Sequence, residues 1–348
     1  MGFSVGIDSP KVTVIIPVFN GERYLGEAIE SILRQTYRNF ELLIINDGST
    51  DQSSAIISSY SNERIRVINN PMNYGLTKTR NIGLREARGE YIAMLDCDDI
   101  ALPRRLEEQI DVMERMPELG LLGTWVEVKN EGGSFREGIY KYQLPPERIP
   151  INMLFMNYFA QSSVIMRKTA LPQDGYRDDF PMAEDYDLFV RIAKTWKVWN
   201  VQKPLILYRS HTSNVSSLKR EVMEKCVRRI IVDQLARLEI FPTAHEISIH
   251  RRIGLHEPVT DTKELDEIEA WLTKLIEANL KLNNYPHPLF KDIIGEWWCK
   301  ACNCATELGW VSWSRFMTSP LSKYGDISFW KKLKLAVKCV MKRGMKAR

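Results

Sequence analysis

Tyr91-Ile92-Ala93-Met94-Leu95-Asp96-Cys97-Asp98-Asp99 is a run of five apolar residues that stops on a cluster of three carboxylates. An apolar run with no polar alternation marks a strand buried on both faces of a parallel sheet, here spanning Glu90 to Leu95. The same pattern recurs toward the N-terminus. Val12 to Val18 is a buried run that ends at Phe19-Asn20, Phe40 to Ile45 ends at Asn46-Asp47-Gly48-Ser49, and Arg64 to Ile68 is a further strand. Between these strands Tyr24, Leu25, Ala28, Ile29, Ile32 and Leu33 recur at helical spacing, and Ala55 to Tyr60 and Leu76 to Ala87 predict two more helices. Strand alternating with helix four times predicts βαβ units, right-handed crossovers and an α/β fold. Its mainly parallel sheet collects the strand ends on one edge.

Beyond about residue 128 the pattern loosens. Gly132-Gly133 marks a turn, and Pro145-Pro146 and Pro150 punctuate a loop. Ser163 to Met166 and Leu205 to Tyr208 are short strand candidates. From about residue 215 strands give way to helical periodicity over 217–240, 262–281 and 287–308. The predicted organisation is an N-terminal extension (1–10), an α/β domain (11–215), a helical domain (216–328) and a basic C-terminal helix (329–348).

The 348 residues allow about two domains, and the ordinary shares of hydrophobic residues (44%) and charge (26%) exclude disordered, collagen-like and coiled-coil chains. The net charge of +4 is unevenly divided. Eight of the 48 basic residues lie in 329–348 with no acid among them, which leaves 40 basic against 44 acidic residues elsewhere, a net −4. Six scattered cysteines do not make a disulfide framework and fit reduced thiols in a cytosolic protein. Cys299-x2-Cys302-x-Cys304 lacks an adjacent second ligand pair for zinc, so packing between helices is the expectation there. The N-terminus carries no secretion or lipidation signal. No apolar stretch approaches the ~18 to 20 residues that cross a bilayer, so any membrane contact is expected to be peripheral.

Carboxylates gathered at the ends of parallel strands repel one another unless a cation lies among them. The alternation of period two puts Asp96 and Asp98 on one side, and hard oxygen ligands with open positions suit Mn²⁺ or Mg²⁺ bridging phosphates. The alternative is an Asp-rich turn that caps the helix starting near Pro103. Gly21-x4-Gly26 has P-loop spacing but is followed by Glu27-Ala28 rather than Lys and Ser or Thr, and no G-x-G-x-x-G opens a helix. The P-loop NTPase and dinucleotide dehydrogenase classes therefore lose support. The helix beginning near Leu76 carries Lys78 and Arg80, candidate phosphate neighbours or a solvated face.

Five motifs in order, Pro17-Val18-Phe19-Asn20, Ile45-Asn46-Asp47-Gly48-Ser49-Thr50-Asp51, Asn73-x-Gly75-Leu76-x3-Arg80-Asn81-x-Gly83, Leu95-Asp96-Cys97-Asp98-Asp99 and Glu184-Asp185-Tyr186-Asp187-Leu188, resemble those of family 2 glycosyltransferases with the GT-A fold. The resemblance covers roughly residues 10 to 215. It implies inverting transfer of a sugar from a nucleotide-diphosphate donor to a hydroxyl. It assigns Pro17, Phe19, Asn20, Glu22, Asp47, Arg80 and Asp96 to the donor side. Phe19 would stack on the base, where many relatives have Tyr, and Asp47 would meet a uracil imide, which favours a uridine donor. Asp98, Asp96 and His211 are the candidate metal ligands, and His211 could equally be structural. Asp185 is implied as general base and Glu184 as an acceptor-side neighbour. Both could also cap the helix from Tyr186 to Lys194. A non-catalytic nucleotide-sugar-binding module is the second reading. A nucleotidyltransferase is disfavoured because its Gly-rich basic phosphate loop is missing.

In the C-terminal helix Trp330, Leu333, Val337, Val340 and Met341 share one side with Ala336 beside them. Lys331, Lys332, Lys334, Lys338, Lys342 and Lys346 take the other arc, interrupted by Leu335. This is the pattern of an in-plane helix on anionic lipid, and its alternative is an apolar face packed on the body. The net −4 elsewhere argues against a nucleic-acid partner. Taken with the resemblance, the tail implies a cytoplasmic enzyme peripheral to the inner face of the plasma membrane. Its acceptor would be a lipid-linked cell-surface glycan, as in lipopolysaccharide or other polysaccharide biosynthesis.

Overall fold

The four apolar runs form β1 (Val12–Val18), β2 (Phe40–Asn46), β3 (Ile65–Asn69) and β4 (Tyr91–Met94) in a computed structural model that describes residues 9–132, 136–212, 219–325 and 327–346. They pair in parallel, with Val12 opposite both Phe40 and Tyr91, and Leu42 opposite Ile65. Every residue of β1, β2 and β4 is buried, whereas the edge strand β3 is only partly so, which is why the central strands need unbroken apolar sequence. The crossovers run through α1 (Leu25–Leu33), α2 (Ser53–Ser58) and α3 (Leu76–Glu86). Helix α3 lies close on the sheet at Gly83, where an added Cβ would stand 2.7 Å from Ile15 Cγ2.

The middle of the chain is richer in strand than its sequence suggests. β5 (Ile100–Ala101) and α4 (Arg105–Arg115) lead into the 13-residue β6 (Leu119–Glu131), followed by β7 (Gly138–Tyr140), α5 (Ile149–Asn152), β8 (Ile165–Arg167), α6 (Glu184–Ile192) and the 15-residue β9 (Lys197–His211). The nine-stranded sheet has the order β3-β2-β1-β4-β8-β6-β9-β5, with β7 paired to β6. The parallel half gives way at β8, which is antiparallel to both β4 and β6. β6 had no sequence expectation, and Gly120 and Gly123 interrupt its apolar run. Both are required by close approach, since a Cβ would meet Trp196 Cβ at 2.5 Å and Asn200 Oδ1 at 2.2 Å, respectively.

The chain divides into two compact units, Met1–Pro150 with Asn157–Val227, and Ile151–Met156 with Arg228–Arg348. The predicted boundary at 215/216 lies outside the described residues. The second unit is built from α7 (Arg220–Ala236), α8 (Ala244–Leu255), α9 (Thr262–Leu282), α10 (His287–Cys304), α11 (Trp310–Thr318) and α12 (Phe329–Lys346). Helix α7 begins before Arg228, so its first turns belong to the first unit. Helix α8 had no sequence expectation, although its Thr243-x-x-Glu246 capping box is a legible start signal.

The segment 151–156 forms the middle of this second core. Phe155 stacks on His250 at 4.6 Å and on Trp297 at 4.4 Å. Trp297 Nε1 donates to Asn152 Oδ1, and His250 Nε2 donates to the Leu154 carbonyl at 2.8 Å. Cys299, Cys302 and Cys339 are buried in this unit, and loss of water raises their thiol pKa values. Helix α12 packs through Leu335 and Cys339, both fully buried, so Leu335 is its inward anchor rather than an interruption of the lysine arc. No helix among the described residues is long and apolar enough to cross a membrane.

Candidate active site

The turns after β1 and β2 are clamped to each other. Asn20, at a left-handed φ of 51° that Asn tolerates, accepts from Thr50 N through Oδ1 at 2.9 Å, while its own N–H donates to Ser49 Oγ. Glu22 N donates to Asp51 Oδ2, and Glu22 Oε2 accepts from Gln52 N, each at 2.9 Å. Asn20 and Glu22, both expected on the donor side, thus hold the rim of the site in shape. Pro17 is buried in β1 opposite Ile45, and the Phe19 ring beyond it is 47% exposed.

Asp47 is buried and accepts three hydrogen bonds, from Asn70 Nδ2 at 2.7 Å, Tyr74 N at 2.9 Å and Gly75 N at 3.0 Å. Its carboxylate therefore fixes the entry into α3. Gly48 is required beside it, because at φ 68° a Cβ would meet the Met72 carbonyl carbon at 2.5 Å. Asn70 is a partner that the sequence did not single out.

Arg80 projects from α3 into a buried ion network. Its Nη1 donates to Glu184 Oε1 and its Nη2 to Asp96 Oδ1 at 2.8 Å, and its guanidinium lies over the Tyr176 ring. The two carboxylates hold Arg80 charged despite the desolvation that opposes it. Glu184 Oε2 is buried with no hydrogen-bond partner among the described residues. Asp96 N donates to Ser162 Oγ, which ties the end of β4 to the turn before β8.

Asp99 is buried, and burial followed by the charges of Asp98 and Asp96 pushes its pKa well above the usual carboxylate range. It accepts from Arg209 N at 3.0 Å, which fastens the carboxylate turn to β9. Two residues along β9, His211 Nε2 stands 3.1 Å from Asp98 Oδ2. The His211 ring stacks on Tyr24 at 5.1 Å. Tyr24 in turn donates through its hydroxyl to Glu131 Oε2 and lies under the guanidinium groups of Arg23 and Arg209. Tyr24 was legible only as an apolar helix position.

Of the three expected metal ligands, Asp98 and His211 are adjacent and Asp96 is drawn to Arg80. Among the described residues no three His, Cys, Asp or Glu side chains are grouped as a metal-holding set. The Asp98 and His211 pair nonetheless has the oxygen and nitrogen donors that a divalent cation takes.

Asp185 occupies the first turn of α6. Its Oδ1 accepts from Tyr186 N at 2.6 Å, and Asn157 Nδ2 approaches its Oδ2 at 3.4 Å. Desolvation and then the Glu184 charge raise its pKa to about 7, against the opposing pull of Arg80. A carboxylate with a pKa near neutrality is suited to take a proton from a hydroxyl. The helix that carries it is fixed by Asp187, which accepts from Arg177 Nε at 3.0 Å and Arg191 Nε at 2.9 Å.

The family model for glycosyl transferase family 2 matches residues 13–171, and an uncharacterized glycosyltransferase of Haemophilus influenzae is 32% identical over 232 residues, 64% of this chain and 72% of that protein. The chain belongs to glycosyltransferase family 2. The putative glycosyltransferase EpsE of Bacillus subtilis is also similar, at 34% identity over 69% of this chain and 87% of that protein. Among solved structures, S. aureus TarS 1-349 matches with a TM-score of 0.54 and 18% identity over 97% of this glycosyltransferase and 91% of that chain. That likeness concerns the fold, which is of the GT-A type, with helices following the α/β part in this glycosyltransferase.

Proposed function

We propose that this glycosyltransferase moves a sugar, with inversion, from a nucleotide-diphosphate donor to a hydroxyl of a lipid-linked cell-surface glycan. The observation that carries the reading is the single ion network from Asp96 through Arg80 to Glu184, with Asp185 beside it at a pKa near 7. It joins the strand ends expected to meet the donor to the helix end expected to meet the acceptor.

In this reading Asp185 takes the proton of the acceptor hydroxyl as that oxygen attacks the anomeric carbon from the face opposite the nucleotide. Arg80 donates to Glu184 and positions it beside the base. The buried Oε2 of Glu184 is free to accept from a sugar hydroxyl. Phe19 offers a ring face for the base. Uridine is the favoured nucleoside, on the position of Asp47 in its motif. With three of its hydrogen bonds made inside the protein, Asp47 retains about one acceptor direction for a ligand.

Asp98 and His211 would hold Mn²⁺ or Mg²⁺, which when bound supplies positive charge to the leaving diphosphate, and Asp96 would join them only on release from Arg80. The proposed place of work is the cytoplasmic face of the plasma membrane. Asp185→Asn tests the assignment. Transfer should fall about 10²- to 10⁴-fold while the nucleotide still binds. Near wild-type transfer in that variant would remove Asp185 from the role.

A further inference from the structure

Helix α12 is docked in the second unit by the less apolar of its two apolar lines. Leu335 and Cys339 are fully buried, while Phe329, Trp330, Leu333, Val337, Val340 and Met341 remain exposed, Trp330 at 74% and Met341 at 68%. At 100° per residue these six cover an arc of about 120° centred opposite the buried line. Exposed Lys331, Lys334 and Lys338 form the neighbouring arc, and half-buried Lys332 lies on the other flank. Helix α11, which packs on α12, exposes Trp310, Val311 and Met317. A contiguous apolar stripe of this size is costly in water, so something covers it.

The flanking charge indicates the partner. No acidic residue occurs from 329 to 348, so an acidic, apolar-cored surface fits and a neutral or basic one does not. We infer that the outward face of α12 lies in the plane of an anionic bilayer, with its apolar stripe at the boundary between headgroups and acyl chains and its lysines at the phosphate groups. Packing through Leu335 and Cys339 makes the helix a preformed part of the second unit rather than a segment that must fold on contact. Docking therefore carries little ordering cost. The inference deepens the proposed lipid-linked acceptor, but the vesicle test uses neither donor nor acceptor, so each idea can fail alone.

The test is co-sedimentation of the full chain with phosphatidylcholine vesicles, with and without phosphatidylglycerol. Binding is expected only to the anionic vesicles and should weaken as salt is raised. Leu333→Asp combined with Val337→Asp alters two exposed positions, so melting temperature and nucleotide binding should stay unchanged while vesicle binding falls at least tenfold. Lys331→Ala, Lys334→Ala and Lys338→Ala together should cost about 100-fold. Equal binding to both vesicle types, or full binding by the Leu333/Val337 variant, would overturn the proposal. So would light scattering that finds a dimer which this variant dissolves, because a second copy of the chain would then be what covers the stripe.

Discussion

Arg80 donates to Glu184 across 104 residues of sequence, and this bond ties helix α3 to the first turn of helix α6. The same guanidinium holds Asp96, so one buried cation sets the spacing between the end of β4 and the helix that carries Asp185. Breaking one partner of such a network leaves buried charge without compensation.

Arg80→Met should therefore lower stability by about 3 to 5 kcal/mol, measured by urea unfolding of the α/β part. Arg80→Lys retains the charge but cannot reach both carboxylates with a planar fork. It should fold and lose at least roughly tenfold in kcat/KM. An Arg80→Lys enzyme with unchanged kinetics would show that the bridge does not position the base.

Activity should rise with pH through a midpoint near 7, because Asp185 in its proposed role as base must be ionised to accept a proton and its pKa is raised to about 7. The sign for stability is opposite. The folded state holds this proton more tightly than the unfolded chain does, so the associated stability is present below about pH 4 and is lost as pH rises through 7. Asp185→Asn should melt roughly 2 to 4 °C higher than wild type at pH 8, with the difference vanishing near pH 4. A pH-independent difference would place the effect elsewhere.

Tyr24 supports His211 from below while Asp98 meets it at the edge. Residues that orient a ligating His typically affect metal affinity 10- to 100-fold. Tyr24→Leu should thus weaken Mn²⁺ binding by about tenfold in calorimetry without donor present, whereas Tyr24→Phe, which keeps the ring, should bind nearly as well as wild type. Equal Mn²⁺ affinity in all three proteins would detach His211 from the metal.

In the second unit Trp271 Nε1 donates to His250 Nδ1 while His250 Nε2 donates to Leu154, which fixes a neutral tautomer. Burial lowers its pKa to about 4. A depressed folded pKa contributes stability above the unfolded value near 6.5, and that contribution is lost as pH falls toward 4, up to about 3 kcal/mol. Near-UV circular dichroism of the buried tryptophans should report loosening of this unit over that window. His250→Gln, which cannot titrate, should flatten the response.

Much of the α/β part is legible because local rules and tertiary demands coincide. Val12–Val18 and Phe40–Asn46 are apolar throughout because both faces are covered. Where they conflict, the sequence misleads. Gly120 and Gly123 interrupt the apolar run of β6, yet each is the residue that lets a neighbouring side chain pass over the strand. In the candidate site Asp47, Asp96, Asp98 and Asp99 were evident from their places after strands, whereas Glu184, Asp185 and His211 came only from the resemblance. Their partners were not evident, since Asn70, Ser162 and Asn157 occupy ordinary loop positions with no local signal.

Sequence alone determined the alternation of strand and helix, the clustering of carboxylates where strands end, and the basic, acid-free tail. These are properties of neighbouring residues, set by periodicity and charge. Tertiary structure decided which carboxylates meet. Asp96 goes to Arg80 on α3 and Asp98 to His211 on β9, two elements that only the fold brings to one turn. It also decided which line of α12 faces inward. Leu335 and Cys339 fill a site prepared by other helices, and that choice leaves the larger apolar stripe exposed. A helical projection ranks faces by apolarity, but burial goes to the face whose shape the neighbouring helices accommodate.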